Sequence, residues 1–124
     1  GMHSRGFPNS FFFGPAQSGF TATYTYSLDE QSIHLAHILK TAKDKGATRI
    51  EASQEAEDKW IKTIIDKARL TADFQENCTP GYYNNEGKIN QTPQNNTYGG
   101  GPIEFFKIME KWRSKGTLEG LELS

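Results

Sequence analysis

The chain has 124 residues, enough for one domain and not two. Fourteen Lys and Arg against fifteen Asp and Glu leave a net charge of −1, with no basic excess to grip a phosphate backbone, which excludes a nucleic-acid partner. A single cysteine, Cys78, excludes an internal disulfide, and the absence of any long apolar run or signal peptide predicts a soluble cytoplasmic protein with no membrane contact.

Gly6 to Tyr26 reads as a strand-and-turn segment, opening with a turn at Gly6, Pro8 and Asn9. Phe11-Phe12-Phe13 followed by Gly14-Pro15 predicts a short strand buried on both faces and stopped abruptly. Between Ala16 and Tyr26, small residues alternate with Phe20, Tyr24 and Tyr26, and both strand and ordered loop stay open. A buried strand ending in a glycine loop before a helix suits an anionic cofactor. Gly14 to Thr21 is therefore the strongest site candidate, since its glycines, Gln17 and small hydroxyl residues permit close backbone approach to a flat ligand. An ordinary strand-to-loop turn is the alternative.

The first helix is expected over 27–45. Ser27-Leu28-Asp29-Glu30 fits a capping box, Leu28, Leu35, Ile38, Leu39 and Ala42 form the apolar stripe, and Gly46 ends it. Thr48 to Ala52 suits a short edge strand. The second helix is expected over 53–70, capped by Ser53, with Ala56, Trp60, Ile61, Ile64, Ile65 and Ala68 on one stripe. A long polar loop follows over 79–101, too long to be a bare connection. A third helix is expected over 102–115, with Pro102 at its first position and Gly116 closing it. Leu118, Leu121 and Leu123 suggest a last strand over 118–123, weakened by Gly120. The predicted fold class is α+β: three amphipathic helices, two or three short strands and a long polar loop.

Other constellations carry less. Glu30, His34 and His37 stand at i, i+4 and i+7, a spacing that can hold Zn²⁺. No Cys or further ordered His completes the set, so the expectation is a polar outer face opposite the leucine stripe, and no metal. Gly99 to Pro102 before a helix can cradle a phosphate, but no strand precedes it and a capped turn explains it better. Cys78 has no nucleophile signature around it.

GFPNSFFFGPAQSGFTATYTYSLDEQ (Gly6 to Gln31) resembles the C-terminal segment of flavin-dependent monooxygenases of the Baeyer–Villiger type, the cyclohexanone monooxygenase-like group. The resemblance continues through Arg49 to Trp60, Cys78 to Lys88 and Tyr98 to Phe106, and ends at Leu118 to Leu123. It implies a C-terminal fragment of an α/β FAD-binding domain, with FAD and NADPH as the family's cofactors. By this resemblance, Gly14, Pro15, Gln17 and Thr21 lie on the flavin side, and Tyr82, Tyr83 and Asn84 on the nicotinamide or substrate side. Related enzymes often carry a Trp-Tyr pair in that second loop, where Thr79 and Pro80 stand here.

Neither dinucleotide-binding glycine fingerprint occurs in these residues, nor the arginine that family enzymes place at the flavin. The expectation is therefore a truncated or split segment, inactive and cofactor-free by itself, assigned no catalytic residue. Its partner would be a separate chain carrying the missing dinucleotide-binding domains, or a second copy in a homodimer. A stand-alone small α+β protein working through self-association is the alternative.

Overall fold

In a computed structural model, residues 1–68, 77, 79–88 and 93–124 are described. Cys78 lies outside them, as do residues 69 and 70 of the predicted second helix. The described elements are three helices, α1 (Tyr24–Asp44), α2 (Gln54–Lys67) and α3 (Pro102–Lys115), and two strands, β1 (Ile50–Ala52) and β2 (Leu121–Leu123). The fold is α+β, and β1 pairs antiparallel with β2 in the register Ile50 to Leu123.

Several ends follow the local chemistry read from the sequence. Ser53 accepts the Ala56 amide at α2 (3.2 Å), Pro102 opens α3, and Gly116 closes it with a left-handed backbone (φ 65°). At the end of α1 the Gly46 amide donates to Lys43 and the Ala47 amide to Ala42, with Gly46 at φ 71°. That pair of bonds satisfies two orphan carbonyls in one glycine turn.

The start of α1 departs from expectation. The helix begins at Tyr24, three residues early, and Thr23 at its N-cap makes no side-chain cap bond. Ser27 is buried inside the helix and donates its hydroxyl to the Gly19 carbonyl (3.3 Å), while Glu30 pairs with Arg113 (3.5 Å). The capping box is absent because both of its side chains have tertiary partners. The buried face is also different: Ser27, Gln31, Ile38 and Ala42 are buried, whereas Leu39 is exposed.

Phe11 to Phe13 is not a strand. Phe12 and Phe13 are 51% and 43% exposed, and one bond, from the Phe12 amide to the Met2 carbonyl, is not a ladder. Phe11 alone turns inward, onto the cluster of Ile38, Ala42, Ile50 and Leu118. Leu118 is not in a strand either: it sits buried in a turn at φ 54°, and β2 begins only at Leu121. A second cluster joins α2 to α3 through Ile64, Tyr98, Phe105 and Met109, with Trp60 and Phe106 against it.

Candidate functional site

Residues 14–21 form an ordered turn between the phenylalanines and α1. Gln31, fully buried on α1, holds it. The Gly14 amide donates to Gln31 Oε1 (3.2 Å), and Gln31 Nε2 donates to the Gly14 carbonyl and to Ser18 Oγ, each at 3.2 Å. Ser18 Oγ in turn donates to the Gly14 carbonyl (2.5 Å). A buried amide with donor and acceptor both used adds rigidity at no desolvation loss. Gly19 is packed so closely that an added Cβ would stand 2.9 Å from the Phe105 ring and 3.0 Å from Pro102.

The predicted flavin-side residues all lie on this turn, none of them fully buried. Gly14 takes φ 145°, and a Cβ there would meet nothing closer than the Tyr24 hydroxyl at 3.9 Å, so its outer side is open. Pro15 follows it, and its carbonyl accepts the Ser18 amide (3.2 Å). Gln17 has its side chain engaged: Oε1 accepts from the Gly1 amine (2.5 Å) and Nε2 donates to the Gln94 carbonyl (2.9 Å). Thr21 donates its hydroxyl to the Thr23 carbonyl (2.7 Å) and borders a cavity of about 400 Å³ between α1 and α3.

The loop over 79–101 carries two short 3-10 turns, Tyr82–Gly87 and Pro93–Asn95. Tyr82 is 88% exposed. Tyr83 and Asn84 share the first turn, with their side chains outside the described part. No described contact brings this turn to Gly14–Thr21. The second turn does reach it: the Gln17 amide donates to the Asn96 carbonyl (2.9 Å) and the Tyr98 amide to the Ser18 carbonyl (3.0 Å).

Gly99 to Pro102 forms a packed corner, not an open cradle. A Cβ on Gly99 would lie 1.9 Å from the Lys67 carbonyl oxygen, which only glycine permits. Glu104 occupies the first turn of α3, taking the Tyr98 hydroxyl (2.5 Å) and the Lys67 ammonium (3.0 Å). The Tyr98 hydrogen bond, then the Lys67 one, hold its carboxyl below the usual range.

The histidines of α1 face inward. The His34 ring packs on Trp112 with centroids 4.9 Å apart, His37 meets the same indole at 6.4 Å, and Glu30 is taken by Arg113. The polar outer face predicted there is therefore corrected: Trp112 gives the imidazoles an aromatic partner inside. Among the described residues no group of three metal-ligating side chains forms. His3 and His34 border a second cavity of about 190 Å³, walled by Ala52, Trp60, Phe105 and Met109. Burial lowers both imidazoles to about 4, aided at His3 by the amino terminus and at His34 mainly by Arg113.

Sequence reasoning missed Gln31 and Ser18, the residues that hold the turn. A glutamine at a helix position four residues after Ser27 was the available signal, visible only once Ser27 is known to be buried.

No family model matches the chain. It is 45% identical, over 99% of its length, to pentalenolactone D synthase of Streptomyces exfoliatus, of which it covers 21%. It is 40% identical over 93% of its length to a Baeyer–Villiger monooxygenase of Streptomyces coelicolor, covering 19% of it. The FAD-binding monooxygenase hmp7 of Hypomyces subiculosus is 35% identical over 98% of the chain and is covered to 20%. In structure, the whole chain superposes on 20% of the polycyclic ketone monooxygenase of Thermothelomyces thermophila, with a TM-score of 0.88 and 32% identity. A steroid monooxygenase bound to NADP shares the fold (TM-score 0.76, 19% identity, 99% of this chain and 22% of that one).

Along nearly its whole length the chain thus matches a segment of flavin-dependent monooxygenases. Among these relatives are monooxygenases of the Baeyer–Villiger type, and the chain spans about a fifth of the length of the curated relatives it matches. No described helix is long and apolar enough to cross a membrane.

Proposed function

We propose that this chain supplies one flank of the flavin pocket of a Baeyer–Villiger-type monooxygenase and part of its substrate-side wall, and that it does not turn over by itself. The observation that carries this reading is the near-complete match: 45% identity over 99% of the chain, within about a fifth of the relative. When bound in a complete enzyme of this type, FAD reduced by hydride from NADPH would activate dioxygen, one atom of which is inserted beside a ketone carbonyl while the other leaves as water.

The turn suits a flat ring. Gly14 is open on its outer side, and exposed Phe12, Phe13 and Tyr24 offer aromatic surface from the same stretch of chain. Gly14 and Pro15 would set the backbone against the flavin, Gln17 would hold the turn's shape, and Thr21 would stand at its far end. Tyr82, Tyr83 and Asn84 would face the nicotinamide or substrate side from the loop. For the flavin's phosphates the 124 residues hold no glycine fingerprint, so FAD and NADPH would be gripped by other polypeptide.

The partner would be a polypeptide with two dinucleotide-binding units. The exposed aromatics of residues 12–24 are surface of the kind such a body covers. A homodimer through the same face is the second reading, favoured by the same exposure.

The test is to incubate the purified chain with FAD, NADPH and a cyclic ketone and follow absorbance at 340 nm. No ketone-dependent oxidation and no flavin retained through gel filtration are expected. Turnover by the chain alone would overturn the proposal.

A further inference from the structure

We infer that Gln17 is a positioning residue that fastens the flavin-side turn to residues 94–98, so that turn and loop open and close as one unit. Its functional meaning rests on the reading of Gly14–Thr21 given above; the joint itself needs no cofactor.

The backbone at Gln17 is at φ 56°, a left-handed conformation that a long side chain seldom adopts. Were turn geometry the whole requirement, glycine would meet it with less strain. The side chain is what glycine lacks, and it is used: Nε2 donates to the Gln94 carbonyl at 2.9 Å, 77 residues away in sequence. Beside it the Gln17 amide donates to Asn96 and the Tyr98 amide returns to Ser18, at 2.9 and 3.0 Å. Three hydrogen bonds therefore cross between two adjacent turn residues, Gln17 and Ser18, and three loop residues, Gln94, Asn96 and Tyr98.

Both ends of the joint are anchored. On the turn side, Ser18 and Gly14 are held by buried Gln31 of α1. On the loop side, the Tyr98 ring stacks on Trp60 of α2, centroids 5.7 Å apart and 7° from parallel. A polar path runs from α1 through Gln31, Ser18 and Gln17 to the loop, and ends on the aromatic stack of α2. Movement of the loop on α2 must then either carry the turn with it or break these three bonds.

The experiment uses the 124-residue chain without flavin, so it reads the joint whether or not flavin binds. Amide hydrogen exchange is measured by NMR for the wild type, Gln17→Gly and Gln17→Glu. In the wild type the Gln17 and Tyr98 amides are expected to share one protection factor. Gln17→Gly suits the left-handed backbone but removes both side-chain bonds, the one to Gln94 that crosses the joint and the one from the Gly1 amine. It should accelerate both amides about five- to tenfold, the equivalent of one ordinary hydrogen bond, while Ile38 and Met109 keep their rates. The near-ultraviolet dichroism of the Trp60–Tyr98 stack should weaken in parallel. Gln17→Glu, which sets a carboxylate against the Gln94 carbonyl, should accelerate them at least as much.

A purely conformational role for Gln17 gives the reverse. Glycine would then raise the melting midpoint and leave both amides as slow as before, and that result would overturn the inference. Equal acceleration at Ile38 and Met109 would also overturn it, marking Gln17 as general support of the fold.

Discussion

Two regions of this molecule are held together by different means. Around Ile38, Ala42, Ile50 and Leu118 the chain is joined by apolar contact, closed off by a three-residue strand pair. The turn at 14–21 and the loop at 93–101 are joined by side-chain and backbone hydrogen bonds through Gln31, Ser18 and Gln17, and by glycines with no room for a Cβ. Apolar packing is non-directional and tolerates adjustment, whereas hydrogen bonds fix position and direction. A wall of a cofactor pocket needs the second kind of support. The contrast teaches that the candidate site is positioned by polar geometry laid over a small apolar frame.

The contrast can be broken first at its apolar side. Ile38→Ala empties a fully buried site and should cost about 4 kcal/mol, read as a loss in urea stability felt by every probe alike. On the other side, Gly99→Ala should cost about 3 kcal/mol, because a methyl at 1.9 Å from the Lys67 carbonyl meets backbone that cannot rotate away. Its effect should centre on the loop, with the Trp60 fluorescence changing before helix content does.

Acid sharpens the comparison further. His3 and His34 fall from 6.5 to about 4 in the folded chain, so below pH 6.5 the unfolded chain binds the extra protons. Their contribution is complete above pH 6.5 and is lost as pH falls towards 4. It is on the order of 3 kcal/mol for the pair, since both rings keep some exposure. Thermal midpoints between pH 7 and 4 check this, and His34→Phe should flatten the slope. The smallest effect is expected for Gln31→Leu, about 2 kcal/mol, since it takes the acceptor from the Gly14 amide and one of two bonds from Ser18 Oγ, which keeps its bond to the Gly14 carbonyl. Exchange at the Gly14 amide should speed up more than exchange within α3.

What the sequence made legible follows the same division. The stripe of α2, the Ser53 cap, Pro102 and the glycines after α1 and α3 act through neighbours three or four residues away, and periodicity carries them. Ser27, Gln31 and His34 look like polar surface on a helix because their partners lie on other elements: Gly19, Gly14 and Trp112. Three phenylalanines read as a buried strand, yet among the described residues β1 pairs with β2 and not with them. Leu118 looked like a strand residue because an apolar side chain does not announce a left-handed backbone. For the candidate site, the sequence marked an ordered turn, while the residues that support that turn emerged only from the fold.

The most direct test of the half-pocket reading mixes the chain with a Baeyer–Villiger monooxygenase lacking its C-terminal fifth, loaded with FAD, and maps hydrogen exchange. The expected result is a one-to-one complex in which amides 12–21 slow, together with ketone-dependent NADPH oxidation that neither part shows alone. A lack of association, or protection confined to residues around Lys40 and Lys62 with amides 12–21 unchanged, would contradict it.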